Sequence, residues 1–270
     1  MTKTLILAIL LILASNLVWA HDPIFGMGPH VLFKQGIEAS IEIDSNKSAE
    51  KQEFIHALQL TYGITGNWSA GIEIPYAFKQ RYGANSQGFA NLNIFTKYRF
   101  WRKDSLGLQE SAAVILQVKT DSGSITDTPA LGTDTTDGIV GLAYGYEGRT
   151  WYRWASLRYR YNGTTNAGLQ RGNKVLLDLV AGVRTNLTSY TEADTVWLLE
   201  LNGEFSDTTN LNGFDIANTG GRQWFLSPGI FWTKRNFAIK AGLQIPITAS
   251  LNGNQNQDDY RAKLVFEWHP

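Results

Sequence analysis

From residue 36 to residue 268, apolar and polar side chains exchange places at almost every second position, and no long window sustains a helical period. Twelve such segments are predicted as strands: 36–44, 53–63, 68–78, 89–100, 111–119, 138–147, 151–161, 174–184, 195–205, 223–232, 237–247 and 259–268. A tilted strand crosses a bilayer in about 9–11 residues, and most of these segments have that length. The polar connections 45–52, 79–88, 120–137, 162–173, 206–222 and 248–258 alternate with the mostly shorter links 64–67, 101–110, 148–150, 185–194 and 233–236. Long and short connections on opposite edges predict an all-β fold, a twelve-stranded antiparallel up-and-down transmembrane barrel over 36–270.

The two parities carry different chemistry. On one, Tyr62, Trp68, Tyr144, Trp151, Trp232 and Trp268 fall at strand ends beside the short links, and Tyr76, Tyr161, Trp224 and Tyr260 fall at the other ends. Aliphatic residues such as Ile72, Val114, Leu157, Leu179 and Ile239 lie between them. Amphipathic rings settle at the headgroup boundary, so this parity predicts two aromatic girdles around a lipid-facing band. The other parity holds Glu38, Glu42, Glu73, Lys97, Arg99, Arg158, Arg160, Asp178, Arg184, Glu200, Glu204, Lys240, Arg261, Lys263 and Glu267. An ionised group facing lipid at mid-depth costs about 2–4 kcal/mol, so these residues are expected to line the lumen. Opposite charges there, for example Glu38 and Glu42 beside Arg261 and Lys263, have two readings: salt bridges that fill the barrel, or pairs that leave a gap and select solutes by charge. The closing stretch YRAKLVFEWHP (260–270) follows the same rule and should pair with the first strand to remove the sheet edge.

Ahead of the barrel, Lys3, the apolar run LILAILLILA (5–14) and VWA (18–20) read as a cleaved secretory leader over 1–20. Residues 21–35 are then a periplasmic or plug segment. Charged residues are 18% of the chain and the formal net charge is zero, which gives no electrostatic case for nucleic acid. With no Cys, the exported protein has no disulfide framework.

Several stretches resemble the meta-pathway phenol-degradation family of outer-membrane proteins. They are GIEIPYAF (71–78), GFANLNIFTKYRF (88–100) and KTDSGSITDTPALGTDTTD (119–137), with weaker echoes in SPGIFW (227–232) and AGLQIPI (241–247). Asn91 stands where that family pattern leads one to expect Asp. The resemblance implies a barrel that takes up aromatic or other hydrophobic small molecules.

Candidate chemistry is sparse. His56 lies on the outward parity near the outer rim, as a lipolytic His would, but Ala57 and Leu58 follow it and no serine nucleophile accompanies it. No catalytic residue is assigned. His21, Met27 and His30 offer imidazole and thioether donors suited to copper without a fixed ligand spacing. Asp121, Asp127, Asp134 and Asp137 lack the alternate spacing of a calcium loop. No metal and no cofactor is therefore expected.

The reading is a monomeric, non-enzymatic channel or transporter of the outer membrane. Its expected partners are outer-membrane lipid and lipopolysaccharide, the barrel-assembly machinery and a small hydrophobic or aromatic solute. Two alternatives are a non-conducting binding or structural barrel, with or without copper at its amino terminus, and a lipolytic enzyme.

Overall fold

Alternation of period two gives each strand one face for hydrocarbon and one for an enclosed interior, and closure leaves no unpaired edge. A computed structural model of the chain has this architecture. It describes residues 22–49, 51–188 and 192–270, so the predicted leader and His21 lie outside the described residues.

Twelve antiparallel strands form the wall. They are β1 Ile37–Ser48, β2 Lys51–Thr65, β3 Trp68–Arg81, β4 Asn93–Ser105, β5 Leu108–Lys119 and β6 Asp137–Gly148. The second half comprises β7 Trp151–Tyr161, β8 Lys174–Arg184, β9 Asp194–Ser206, β10 Gly221–Lys234, β11 Phe237–Leu251 and β12 Tyr260–Trp268. Each pairs with its chain neighbours, and β12 closes the ring on β1 with Phe266 opposite Ile41. Short hairpin turns occupy one end, and the segments 120–136, 162–173 and 207–220 crowd the other.

Three boundaries differ from the sequence expectation. The polar stretch 45–52 is mostly strand, because Lys47 pairs with Gln52 and Ser48 with Lys51 in a tight hairpin. The link 101–110 is likewise strand on both sides of a turn at 105–108, and a bulge between Arg99 and Trp101 keeps Phe100 and Trp101 both exposed. Residues 84–88, expected as connection, are strand together with Phe89, and the fourth wall strand begins at Asn93 rather than at 89. They fold back on β3, with Tyr76 opposite Phe89, and β4 meets β3 over Trp68–Glu73 only. Polarity alone misassigns such stretches, since at a rim both faces of a strand are wet.

The outward face is apolar at mid-height: Leu58, Leu60, Leu142, Leu157, Leu179 and Leu199 are all exposed. The inward face holds buried charge and one buried apolar cluster, built from Ile24, Tyr152, Trp154, Val180, Val196, Leu198, Phe231 and Ala238. Ile24 belongs to the amino-terminal segment, which therefore packs inside the ring.

Candidate functional site: the interior and its amino-terminal segment

Residues 22–35 precede β1 and thread the interior. At the short-turn end the backbone is stitched to β2, with Gln35 N donating to Gly63 O at 2.7 Å and Gly63 N donating to Gly36 O at 2.9 Å. Deeper in, three consecutive amides converge on one side chain. Ile24 N donates to Glu200 Oε1 at 2.6 Å, and Phe25 N and Gly26 N donate to Oε2 at 3.2 and 2.9 Å. Glu200 has no exposed surface. Successive N–H groups turned to one side form a concavity that suits an anion, and here a carboxylate from β9 fills it. Asp22 adds an ion pair to Lys97 on β4 at 2.7 Å.

The wall is thinned where the segment lies against it. A Cβ on Gly229 of β10 would sit 2.3 Å from Ile24 Cδ1, and one on Gly145 of β6 would sit 2.9 Å from Pro29 Cγ. Either contact forces a displacement, so glycine at these inward positions makes room for the segment.

The remaining inward charges form three groups. Near the segment, Lys263 pairs with Glu42 at 2.5 Å, Lys240 with Glu267 at 2.5 Å, and His269 lies 3.6 Å from Glu38. Asn93 donates to Glu73 at 2.7 Å. At mid-height Asp178 accepts from Arg158, Ser156 and Asn202 at 2.6, 2.6 and 2.9 Å. Toward the long-loop end Arg261 bridges Glu204 and Asp258, and Lys174 lies 3.4 Å from Glu204. Arg160 sits on the same parity of β7, opposite Lys174 of β8.

The expected partnership of Glu42 and Lys263 is present, whereas Glu38 and Arg261 do not meet. Register places Arg261 opposite Asn46 near the long-loop end, and Glu38 lies at the other end of β1. Two further inward charges serve the wall itself: Arg99 donates to Gly66 O and Asn67 Oδ1, and Arg184 pairs with Asp194 at 2.7 Å.

Between the segment and the ion-paired wall of β1, β2, β3 and β12 lies a cavity of about 260 Å³. Carboxylates Glu38, Glu42 and Glu73 and ammonium groups Lys97, Lys240 and Lys263 face it from the wall, and the rings of Phe25, Phe95 and Phe231 line it as well. His30, in the segment ahead of β1, also borders it. Burial pushes its imidazole down to about 3, a shift that Asp22 opposes and that Lys97, Arg99 and His269 reinforce. It is therefore neutral near pH 7.

Outside the ring, Trp68, Tyr62, Trp151, Tyr144 and Trp268 are exposed at the short-turn end, where Trp232 is partly covered. At the other end Tyr161 is exposed, Trp224 packs edge-on to Phe205 with centroids 5.6 Å apart, and Tyr76 and Tyr260 are partly covered. His56 faces outward and contacts the Phe78 ring at 5.5 Å. Among the described residues no three His, Cys, Asp or Glu are placed to hold a metal ion. Met27 and His30 border the cavity, and His21 is outside the described residues.

Asn91 has a defined task. Its Oδ1 accepts from Gly123 N at 2.9 Å and its Nδ2 donates to Thr133 Oγ1 at 2.5 Å, pinning the 120–136 loop over the short β3–β4 seam. The sequence pattern marks this position without disclosing its role, and it gives no sign of the Glu200 cradle.

A closed, twelve-stranded, antiparallel barrel is the class of fold these features define. No family model matches the sequence, and no curated protein matches it. Solved structures of the same architecture do match. The COG4313 outer membrane channel from Pseudomonas putida F1 aligns over 93% of this chain and 100% of its own, at 10% identity and a TM-score of 0.69. The NanC porin aligns over 85% of this chain and 98% of its own, at 10% identity and a TM-score of 0.53. The β domain of the Bordetella autotransporter BrkA aligns over 86% and 98%, at 13% identity and a TM-score of 0.51. At such identities the likeness concerns the fold.

Proposed function

We propose that the chain is an outer-membrane channel for small solutes, with residues 22–35 as a resident plug that narrows the lumen. The observation that carries this reading is the closed ring itself: apolar and aromatic outside, charged inside, with a cavity of about 260 Å³ beside the amino-terminal segment. Exposed leucines at mid-strand are costly in water and favourable in hydrocarbon, and buried charges need an enclosed polar space. The outer membrane is where closed barrels of this kind reside, and two of the structural neighbours are an outer membrane channel and a porin. The exposed rings Tyr62, Trp68, Tyr144, Trp151 and Trp268, with Trp232, serve as the inner-side girdle, and Tyr76, Tyr161, Trp224 and Tyr260 as the outer one.

For the solute we infer a small aromatic or hydrophobic molecule carrying a polar group. Three phenyl rings and several ionic side chains border one cavity, so a ring with a polar substituent meets both kinds of partner. No catalytic role is assigned to any residue. The amino-terminal leader would deliver the chain to the assembly machinery as a monomer.

Reconstitution in planar bilayers, together with uptake of labelled phenol by cells with and without the protein, tests this reading. Discrete conductance steps and protein-dependent uptake are expected. A second reading, a non-conducting binding barrel, is favoured by one observation, the close fit of the segment against Gly145, Gly229 and Glu200. A folded protein that stays silent at all voltages, and remains silent when residues 22–31 are deleted, would establish that second reading and end the first.

A further inference from the structure

The inward face of β1, β2, β3 and β4 holds a small rectangle of side chains that the ion pairs pass by. Register sets Glu38, Thr61, Gly71 and Phe95 side by side in one row, and Ser40, Gln59 and Glu73 in the next. A Cβ on Gly71 would lie 2.4 Å from Phe95 Cζ, so the glycine lets that ring lie across β3. Glu38, Ser40, Glu73 and the Phe95 ring thus mark four corners, about 10 Å apart across the strands and about 7 Å along them. All four line the cavity of about 260 Å³, and Phe25 of the amino-terminal segment borders the same space.

Charge around this rectangle is lopsided. Lys97 is committed to Asp22, Lys240 to Glu267, Arg158 to Asp178, and Lys263 to Glu42 with Asp44 3.6 Å away. Among the described residues no lysine or arginine lies within ion-pair distance of Glu38 or Glu73. Glu73 accepts only the neutral amide of Asn93, and Glu38 has the imidazole of His269 at 3.6 Å. Burial holds that imidazole below its usual range, with Glu267 opposing and Lys240 reinforcing the shift, so it is neutral near pH 7. Ser40 is 5% exposed, and its hydroxyl has no hydrogen-bond partner among the described residues. Two carboxylates and a buried hydroxyl therefore face the cavity with acceptor capacity that no cation of the protein contacts.

We propose that this rectangle binds a primary ammonium carried on an aryl ring, an arylalkylamine, which gives the polar group of the solute its identity. Three N–H donors with no acceptor match two carboxylates and a hydroxyl. The aryl ring meets Phe95 and Phe25, and an ammonium beside an aromatic face gains a further attraction. An aryl carboxylate would stand against Glu38 and Glu73, and a neutral alcohol would leave their charge unanswered. The site presupposes the proposed reading of this cavity as the solute's place in a channel.

The test is isothermal titration calorimetry on the full chain in non-ionic detergent near neutral pH. The probes are 2-phenylethylamine, 2-phenylethanol, phenylacetate and methylammonium. Affinity for 2-phenylethylamine about tenfold or more above the other three is expected. The Glu38→Gln/Glu73→Gln double variant should lose about tenfold or more in that affinity while keeping the heat-modifiable mobility of a folded barrel. Should that variant fail to fold, Ser40→Ala, which deletes one acceptor and no charge, should weaken the amine by about fivefold and leave the alcohol unaffected. Equal affinity for the alcohol, the acid or methylammonium overturns the proposal, as does unaltered amine binding in a folded double variant. A barrel that prefers the amine yet stays silent at all voltages, with or without residues 22–31, upholds the site and ends the channel reading. A barrel that conducts without preferring the amine keeps the channel and sinks the site.

Discussion

Replacing Glu200 by leucine should loosen the amino-terminal segment from the barrel interior. Ile24 N, Phe25 N and Gly26 N lose their acceptor in an environment where Glu200 has no exposed surface. Each such bond contributes about 0.5–1.5 kcal/mol net, more when the acceptor is charged, and a buried donor left unpaired costs about 1–3 kcal/mol. Against this stands the relief of burying an ionised carboxylate without a salt-bridge partner, several kcal/mol in an apolar setting and less where three N–H groups solvate it. The balance is about 2–4 kcal/mol of weaker seating, roughly 30- to 1,000-fold in the ratio of seated to released segment. Glu200→Gln keeps an acceptor oxygen but loses the charge and should fall between the two. Hydrogen exchange in detergent or nanodiscs reads the effect directly: amides of residues 24–26 should exchange roughly a hundredfold faster while those of β8 and β9 keep their protection. Single-channel recordings should show more frequent open events. Unchanged protection at 24–26 in a folded Glu200→Leu barrel would refute the claim that this carboxylate holds the segment.

Gly229→Val should displace the same segment from the neighbouring strand, because its Cβ would meet Ile24 Cδ1 at 2.3 Å, at a cost of about 1–3 kcal/mol. Ile24→Ala should restore protection in the double variant, a coupling that exchange measurements on all four proteins can read. Asp178→Ala removes the acceptor shared by Arg158, Ser156 and Asn202 and should destabilise the barrel by about 3–5 kcal/mol in urea unfolding from detergent, as expected when one partner of a buried ion pair is removed. Asn91→Ala should leave the barrel folded but raise the rate of proteolytic cutting within 120–136 at least fivefold, since both bonds that pin the loop go with it. Acid should act through His30, whose pKa is depressed when seated, so that the released segment binds the extra proton. Seating is then fully present above pH 6.5 and is lost as pH falls toward about 3. At pH 5 the ratio should be lower than at pH 8 by roughly thirtyfold. His30→Asn should abolish that component of the pH profile, and a profile unchanged by the substitution would remove His30 from the account.

What could be read from sequence follows from which interactions leave a residue signature. Burial of one face per strand leaves a period of two, so Tyr260, Ala262, Leu264, Phe266 and Trp268 on one parity and Arg261, Lys263 and Glu267 on the other announce a stave of the wall by their order alone. Strand number, the closing pair and the facing of Lys263 toward Glu42 follow from the same signal. The rims do not, because alternation fades where both faces are wet. Hence 45–52 looks like a loop although Lys47 and Gln52 are paired, and 84–88 looks like a loop although it is strand folded back on β3. Pairing distance along the barrel axis is equally hidden. Glu38 and Arg261 have opposite charges on adjacent strands, yet register separates them by most of the wall height.

The amino-terminal cradle belongs to a class of contact that sequence hardly records. Its donors are backbone N–H groups, present at every residue but proline, so nothing in IFG (24–26) distinguishes it from another loop. Its acceptor, Glu200, looks like any other inward charge. What the sequence does record is the space around it: Gly145 and Gly229 stand at inward positions of strands, where a β-branched or aromatic residue would otherwise pack. A glycine inside a strand weakens it unless something approaches closely, and two of them facing the interior from β6 and β10 bracket an occupant. In this barrel the two mark where the chain's own segment lies against the wall, and that makes a specific demand. If residues 22–31 are removed, the vacated ring retains the ion pairs of β1, β11 and β12, but Glu200 loses its three N–H donors and Lys97 loses Asp22, so one charge of each sign is bared in a widened bore. Reversal-potential measurements across a salt gradient separate the two: adding Glu200→Gln to the truncated chain should shift its selectivity toward anions, and adding Lys97→Gln should shift it toward cations. A selectivity that neither substitution moves would place the selecting charges elsewhere.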